Sequence, residues 1–298
     1  MGFADAVVAM IVALTGISYY IGVFLTSTAS SQRIRNVGKE MLEDSGTSIA
    51  LLAFIAGIFA VVDSVFRLVY GTGAEGAYES AFTWIDNELT LVLTGMLRIK
   101  MIPILLESLE ATGYGFGVFG ILARFIERQM TLWSVLFQTY GASLSLIRAW
   151  VIFMRYGWIV LLLTGALIYT FPASIGRTAG GWIMSISITF YALLPMMGVF
   201  VEIMTAVTFS EIFQTFQMSA ENVYTYILAN KATENPENIA AYVVSGLTSG
   251  IGDFGTIALL RFIFIGLYFA IIGGVMFTLS RALGATGRRV RLPGLPGG

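Results

Sequence analysis

Residues 6–32 contain no charged side chain. A helix needs about 20 apolar residues to cross roughly 30 Å of hydrocarbon, and this run is long enough to do so. It forces a choice on the whole chain. Either polar surface elsewhere hides it, or lipid is the solvent. Composition decides between the two. Of 298 residues, 57% are hydrophobic and 12% are charged, against about 25% charged in an ordinary soluble domain. The expected fold is all-α, a polytopic transmembrane helical bundle forming a single integral membrane domain over residues 1–298.

The runs predict about seven spans. Residues 6–32 form the first, and a polar stretch from Arg33 to Asp44 separates it from the second at 45–62. The third, 89–104, is interrupted by Arg98 and Lys100. The fourth begins at 130 and continues past Arg148 to Met154, and the fifth covers 156–176, so only Arg155-Tyr156-Gly157 lies at their junction. The sixth covers 178–201 and the seventh 262–280. Basic residues in short loops mark the cytoplasmic side. Arg33, Arg35 and Lys39, then Arg124 and Arg128, then Arg177, then the tail with Arg281, Arg288, Arg289 and Arg291 fall on alternate loops. The intervening loops are acidic. This places the N-terminus outside and a basic tail, 284–298, in the cytoplasm. The first span has no basic segment before it and Asp5 precedes it, so it reads as a span and not a cleavable signal.

Two stretches read as non-spanning. Gly71 to Glu88 is expected as a short outer loop with an interfacial turn around Trp84. The longer extracytoplasmic segment, 202–255, begins with Ile203, Val207, Ile212 and Phe216 at helical intervals against Glu211 and Gln214, the pattern of a helix lying on the membrane surface. It closes in "SGLTSGIGDFG", whose glycines predict a turn.

Chemistry is sharply bounded. The chain has no Cys and no His, which removes disulfides, thiolate nucleophiles, His bases and the usual zinc ligands. It carries no P-loop, HExxH or GxSxG motif. No cofactor, no metal site and no enzymatic activity are expected. A net charge of −1 gives no broad basic field for nucleic acid.

Small side chains let helices approach closely in lipid. Gly266, Ala270 and Gly274 recur at fours, and Gly181, Ser185 and Thr189 form another stripe. Both read as bundle packing, with the Ser185 and Thr189 hydroxyls alternatively lining a wet path. Charges near spans face protein or water. Asp63 and Arg67, four apart, are expected to pair. Arg148 and Arg155 lie two turns apart on one face, placed either to snorkel to lipid phosphates or to meet a passing polyanion. Arg261 is expected either to pair with Asp253 or to anchor the start of the last span.

The stretch "FPASIGRTAGGWIMSISITFYALLPMM", Phe171 to Met197, interrupts two apolar runs. Pro172 stops one span, Arg177 sits at the boundary, Gly180 and Gly181 open the next, and Pro195 kinks its far end. The order of a proline turn, arginine, a small-Gly-Gly step and an aromatic-x-x-x-Pro ending (Tyr191 to Pro195) resembles the channel-like subunit of the archaeal Ced DNA-import system. That family is similar to the polytopic inner-membrane subunit of type IV conjugative secretion machines. "FTLSRALGATGRRVRLPGL", Phe277 to Leu295, is similar to the ending of such proteins, but carries Arg288 and Arg289 where an acidic turn is commoner.

The resemblance implies a homo-oligomeric conduit that works with small pilin-like or accessory membrane proteins and a separate conjugation-type ATPase, with single-stranded DNA as cargo. Charge and position, not the family, nominate Arg148, Arg155 and Arg177 for backbone phosphates. Two other readings stay open: a small-solute secondary transporter or channel coupled through Asp63, Arg67 or Glu202, and a non-conducting scaffold of a pilus or secretion complex. The transporter reading is disfavoured because the charges are expected at span ends.

Overall fold

The structure, a computed structural model, describes residues 3–111, 117–169, 174–205, 209–230 and 236–283. All regular structure among these residues is helical. The order is α1 (Phe3–Thr28), α2 (Gln32–Tyr70), α3 (Ala74–Ala111), α4 (Val118–Tyr169), α5 (Ser174–Leu193), a 3₁₀ turn (Leu194–Met196), α6 (Met197–Thr205), α7 (Phe209–Asn230) and α8 (Pro236–Ala282). The helices are long because few residues inside them stop a helix. Where α2 does end, Gly71 takes the left-handed conformation (φ 70°) and returns its N–H to the Arg67 carbonyl at 3.0 Å. A side chain would be strained there, so glycine closes the helix.

Five segments among the described residues are long and apolar enough to cross a bilayer: Ala53–Tyr70, Ala74–Ala111, Thr131–Tyr169, Thr178–Thr205 and Gly252–Ala282. Their outward faces are apolar too: Leu68, Leu132 and Ile203 are 86%, 74% and 71% exposed. Surfaces that display such side chains on one helix after another suit lipid as a neighbour.

Three expectations change. The runs 130–154 and 156–169 lie on one helix, because α4 passes through Arg155, Tyr156 and Gly157 unbroken. That tripeptide holds no proline, and the one charge in it is satisfied: Arg155 reaches Glu75 at 3.3 Å and lies over the Tyr156 ring. The reversal that a count of seven spans requires there is not made. Second, the loop expected at 71–88 is helix from Ala74 onward, with Glu75 in its first turn, where an acid favours the helix dipole. Third, the turn expected in 245–255 lies inside α8. Phe254 stacks on Phe216 at 5.1 Å, and a side chain on Gly255 would collide with the Trp133 ring. Phe254 and Gly255 serve close packing, and the described residues of 202–255 are divided among α6, α7 and the first part of α8.

The described residues form two compact units. Unit 1 comprises 1–80, 151–196 and 269–298, and unit 2 comprises 81–150 and 197–268. In unit 1, Ile55, Leu163, Ala166, Met184 and Ile188 form the core. There α4 and α5 meet almost backbone to backbone. A Cβ on Gly180 would lie 2.5 Å from the Gly165 carbonyl oxygen, and a Cβ on Gly165 would lie 2.9 Å from the Met184 nitrogen. Gly181 is buried beside this crossing. Around Tyr191, the rings of Trp158, Phe59 and Tyr78 gather at 4.2, 5.2 and 5.9 Å. The α5 helix breaks into the 3₁₀ turn at Pro195, whose carbonyl accepts a 2.6 Å hydrogen bond from the Tyr70 hydroxyl.

In unit 2, α7 buries Phe213, Phe216, Val223 and Ile227 and leaves Glu211 and Gln214 exposed. This is an amphipathic helix that keeps the expected opposition of Phe216 to Glu211 and Gln214. Ile203 belongs to α6 and is exposed, and Val207 lies outside the described residues.

Candidate functional site

Buried residues on α3 in unit 2 recur at Ala81, Ile85, Glu88, Val92 and Gly95. On α8 they recur at Phe254, Ala258, Arg261 and Ile265, and on α4 at Phe137, Tyr140, Leu144 and Ile147. These are the alternating three- and four-residue steps of a helix-packing seam. Glu88, Arg261 and Tyr140 therefore occupy positions where an apolar residue would ordinarily sit. Their exposures are 4%, 0% and 0%.

The three side chains meet. Arg261 Nη1 donates to Glu88 Oε1, and the Tyr140 hydroxyl donates to Glu88 Oε2 at 2.9 Å. Each carboxylate oxygen thus accepts from a different helix. Arginine does not give up its charge in proteins, and a lone buried ion costs several kcal/mol. Glu88 is the counter-ion that makes Arg261 tolerable at this position. The Glu202 carboxylate on α6, itself exposed, lies near enough to act on Glu88 through charge. The cluster joins α3, α4 and α8 through directional bonds. No group of three acidic, Cys or His side chains suited to a metal occurs among the described residues.

Sequence reasoning missed this cluster. Sequence patterning puts Glu88 in a loop and Arg261 either with Asp253 or at the start of the last span. The signal was present in the register: Glu88 continues the steps 81, 85, 88, 92, and Arg261 continues 254, 258, 261, 265. The expectation that charges cluster at span ends does not hold for this pair, since both residues lie within candidate spans.

The residues nominated from sequence are distributed as follows. Arg148 Nε meets Asp86 Oδ1 at 2.7 Å on the exposed side of unit 2, and Arg155 meets Glu75 in unit 1. Both cations are already opposed by a carboxylate. Arg177 begins α5, but its side chain lies outside the described set, and so does Pro172. Asp63 and Arg67 pair at 2.8 Å, and Asp63 also accepts from the Ala74 N–H at the start of α3. The Ser185 hydroxyl donates to the Met276 carbonyl at 2.5 Å and Ser187 to the Trp158 carbonyl at 2.6 Å. These hydroxyls fasten helices together. Thr189, 2% exposed, has no hydrogen-bond partner for its hydroxyl among the described residues.

The stripe Gly266, Ala270, Gly274 is exposed, and a Cβ on either glycine would meet nothing within 4 Å. Among the described residues, no neighbour packs on this stripe at its two glycines.

Two clefts open on unit 2. One, of about 550 Å³, is lined by Lys100, Glu107, Glu127 and Gln138, and the other, of about 490 Å³, by Arg98, Leu105, Glu221 and Ile227. Neither is lined by Glu88, Tyr140 or Arg261.

No family model, curated protein or solved structure matches this chain.

Proposed function

We propose that this chain is the polytopic membrane subunit of a DNA-transfer apparatus of the Ced or conjugative type, forming or scaffolding its conduit. The observation that carries the reading is the stretch bearing the resemblance. Its small-Gly-Gly step is where α5 comes within side-chain-excluding distance of α4, and its aromatic-x-x-x-Pro ending is the Tyr191 ring cluster and the 3₁₀ break. The elements of the pattern therefore have definite jobs in holding a helical wall together. The reading brings with it a homo-oligomer, small pilin-like or accessory membrane partners, a separate conjugation-type ATPase and single-stranded DNA. The outward, unpartnered Gly266, Ala270 and Gly274 suit contact with another copy. Localisation is the cell membrane, with the basic tail 284–298 in the cytoplasm. The N-terminus lies opposite if the number of crossings is odd, and a reporter fused to each end decides that.

The small-solute transporter is the second reading, and the buried Glu88–Arg261 pair is the observation in its favour. Against it, each Glu88 oxygen is engaged by a neighbouring helix, and the two clefts described above are lined by neither member of the pair. A strain deleted for this gene, complemented with the wild type or with Arg148→Ala, Arg155→Ala or Arg177→Ala, tests the proposal by DNA-transfer frequency. Deletion abolishes transfer, and the arginine variants lower it where a phosphate is the second partner of that cation. Undiminished transfer in the deletion strain would overturn the function. Undiminished transfer in all three variants would remove only those contacts.

A further inference from the structure

The cleft between α3 and α7 in unit 2 combines two kinds of surface. Its walls are Met101, Leu105, Val223 and Ile227, and at one end stand Arg98 and Glu221, paired at 3.0 Å. Its volume of about 490 Å³ falls within the ~300–1,000 Å³ of small-molecule sites. The charged end is not used up by its own pairing. Among the described residues only Nη1 of Arg98 is engaged, and both contacts to Glu221, from Arg98 and from Gln217 at 3.5 Å, fall on Oε1. Oε2 of Glu221 and the remaining guanidinium N–H groups are left for a ligand. The side chains are 30% and 62% exposed, so both are reachable.

An anion alone would be repelled by Glu221 and a cation alone by Arg98. A headgroup that carries both charges satisfies the pair in both directions. We propose that this cleft binds a phospholipid with a zwitterionic ammonium–phosphate headgroup. The phosphate accepts from Arg98, the ammonium donates to Glu221 Oε2, and one hydrocarbon chain lies over Met101, Ile104 and Leu105, the accessible apolar part of the lining. The inference rests on the chain being membrane-embedded and is independent of DNA transfer.

The test uses the full-length protein in detergent, offered equal amounts of phosphatidylethanolamine and phosphatidylglycerol with identical acyl chains, with retained lipid counted by native mass spectrometry. The wild type retains the zwitterionic lipid over the anionic one by about fivefold, the size expected of one half-exposed ion pair. Glu221→Gln, a surface change, abolishes that preference. Leu105→Trp fills the cleft and lowers retention of both lipids at unchanged thermal unfolding. Equal retention of the two lipids by the wild type would overturn the proposal. So would undiminished retention in the Leu105→Trp variant, or equally effective competition by soluble glycerophosphoethanolamine, which lacks the chains.

Discussion

In unit 1 the helices meet through what is missing, and in unit 2 around something costly. Unit 1 brings α4 and α5 together where Gly165 and Gly180 carry no side chains, with the Ser187 hydroxyl bonding α5 to α4 and the Ser185 hydroxyl bonding α5 to α8. Unit 2 places a full glutamate, an arginine and a tyrosine in its seam and satisfies them against one another. In lipid, no hydrophobic force drives one apolar helix toward another, so packing and polar bonds decide which helices pair. The glycine contact gains dispersion over a short stretch and tolerates loss of a hydroxyl. The charged contact fixes one register, because any slip strands a buried ion.

The largest expected effect follows from that difference. Arg261→Met leaves Glu88 buried without its counter-ion and costs about 3–5 kcal/mol, whereas adding Glu88→Leu to it restores most of the loss, since replacing both partners of a buried pair is commonly neutral. Heat-resistant monodisperse protein, measured by size exclusion in detergent, reads both. If the double variant were no better than the single, the pair would not be the unit that matters. Next is Gly180→Leu in unit 1. Its Cβ has backbone atoms at 2.5 Å, and overpacking of this kind costs about 1–3 kcal/mol. A wild-type melting profile for this variant would mean the crossing is looser than described. Ser185→Ala, which removes one interhelical hydroxyl bond, should cost about 0.6 kcal/mol by the same assay.

The smallest effect is set by pH. The Arg98 guanidinium donates to Glu221 and, with Gln217, holds that carboxyl below its ordinary value. Because the folded value is the lower one, the contribution is present above the ordinary carboxylate range, about 4.3. It is lost as pH falls through the folded value. Acid melting curves of wild type and Glu221→Gln should therefore converge at low pH and separate only above that range, slightly, as an exposed pair dictates.

Much of the fold was legible from hydropathy. Apolar runs point to the helical class, and Pro195 marks the 3₁₀ break, whereas Pro172 lies outside the described residues. Boundaries were less legible, because polar residues inside a helix look like a loop until their partners are known. Asp86 and Glu88 made 71–88 look aqueous, yet Arg148 and Arg261, distant in sequence, neutralise them. Glycine misled in both directions. Gly255 reads as a turn but is a packing surface for Trp133, while Gly266 and Gly274 read as packing but face outward. Periodicity gives faces, and only tertiary contact says which face is inward. For Glu88 and Arg261 the seam spacing was there to be read, but charge argued against following it.

Since the chain has no Cys, single cysteines placed at Val61, Leu93, Leu146 and Ile263 report on these positions without background. All four are exposed on segments able to cross a bilayer, at 64%, 55%, 64% and 52%. In sealed native membranes they should resist a membrane-impermeant maleimide and react fully once the protein is unfolded in detergent. Rapid labelling of all four before solubilisation would contradict a lipid-embedded bundle.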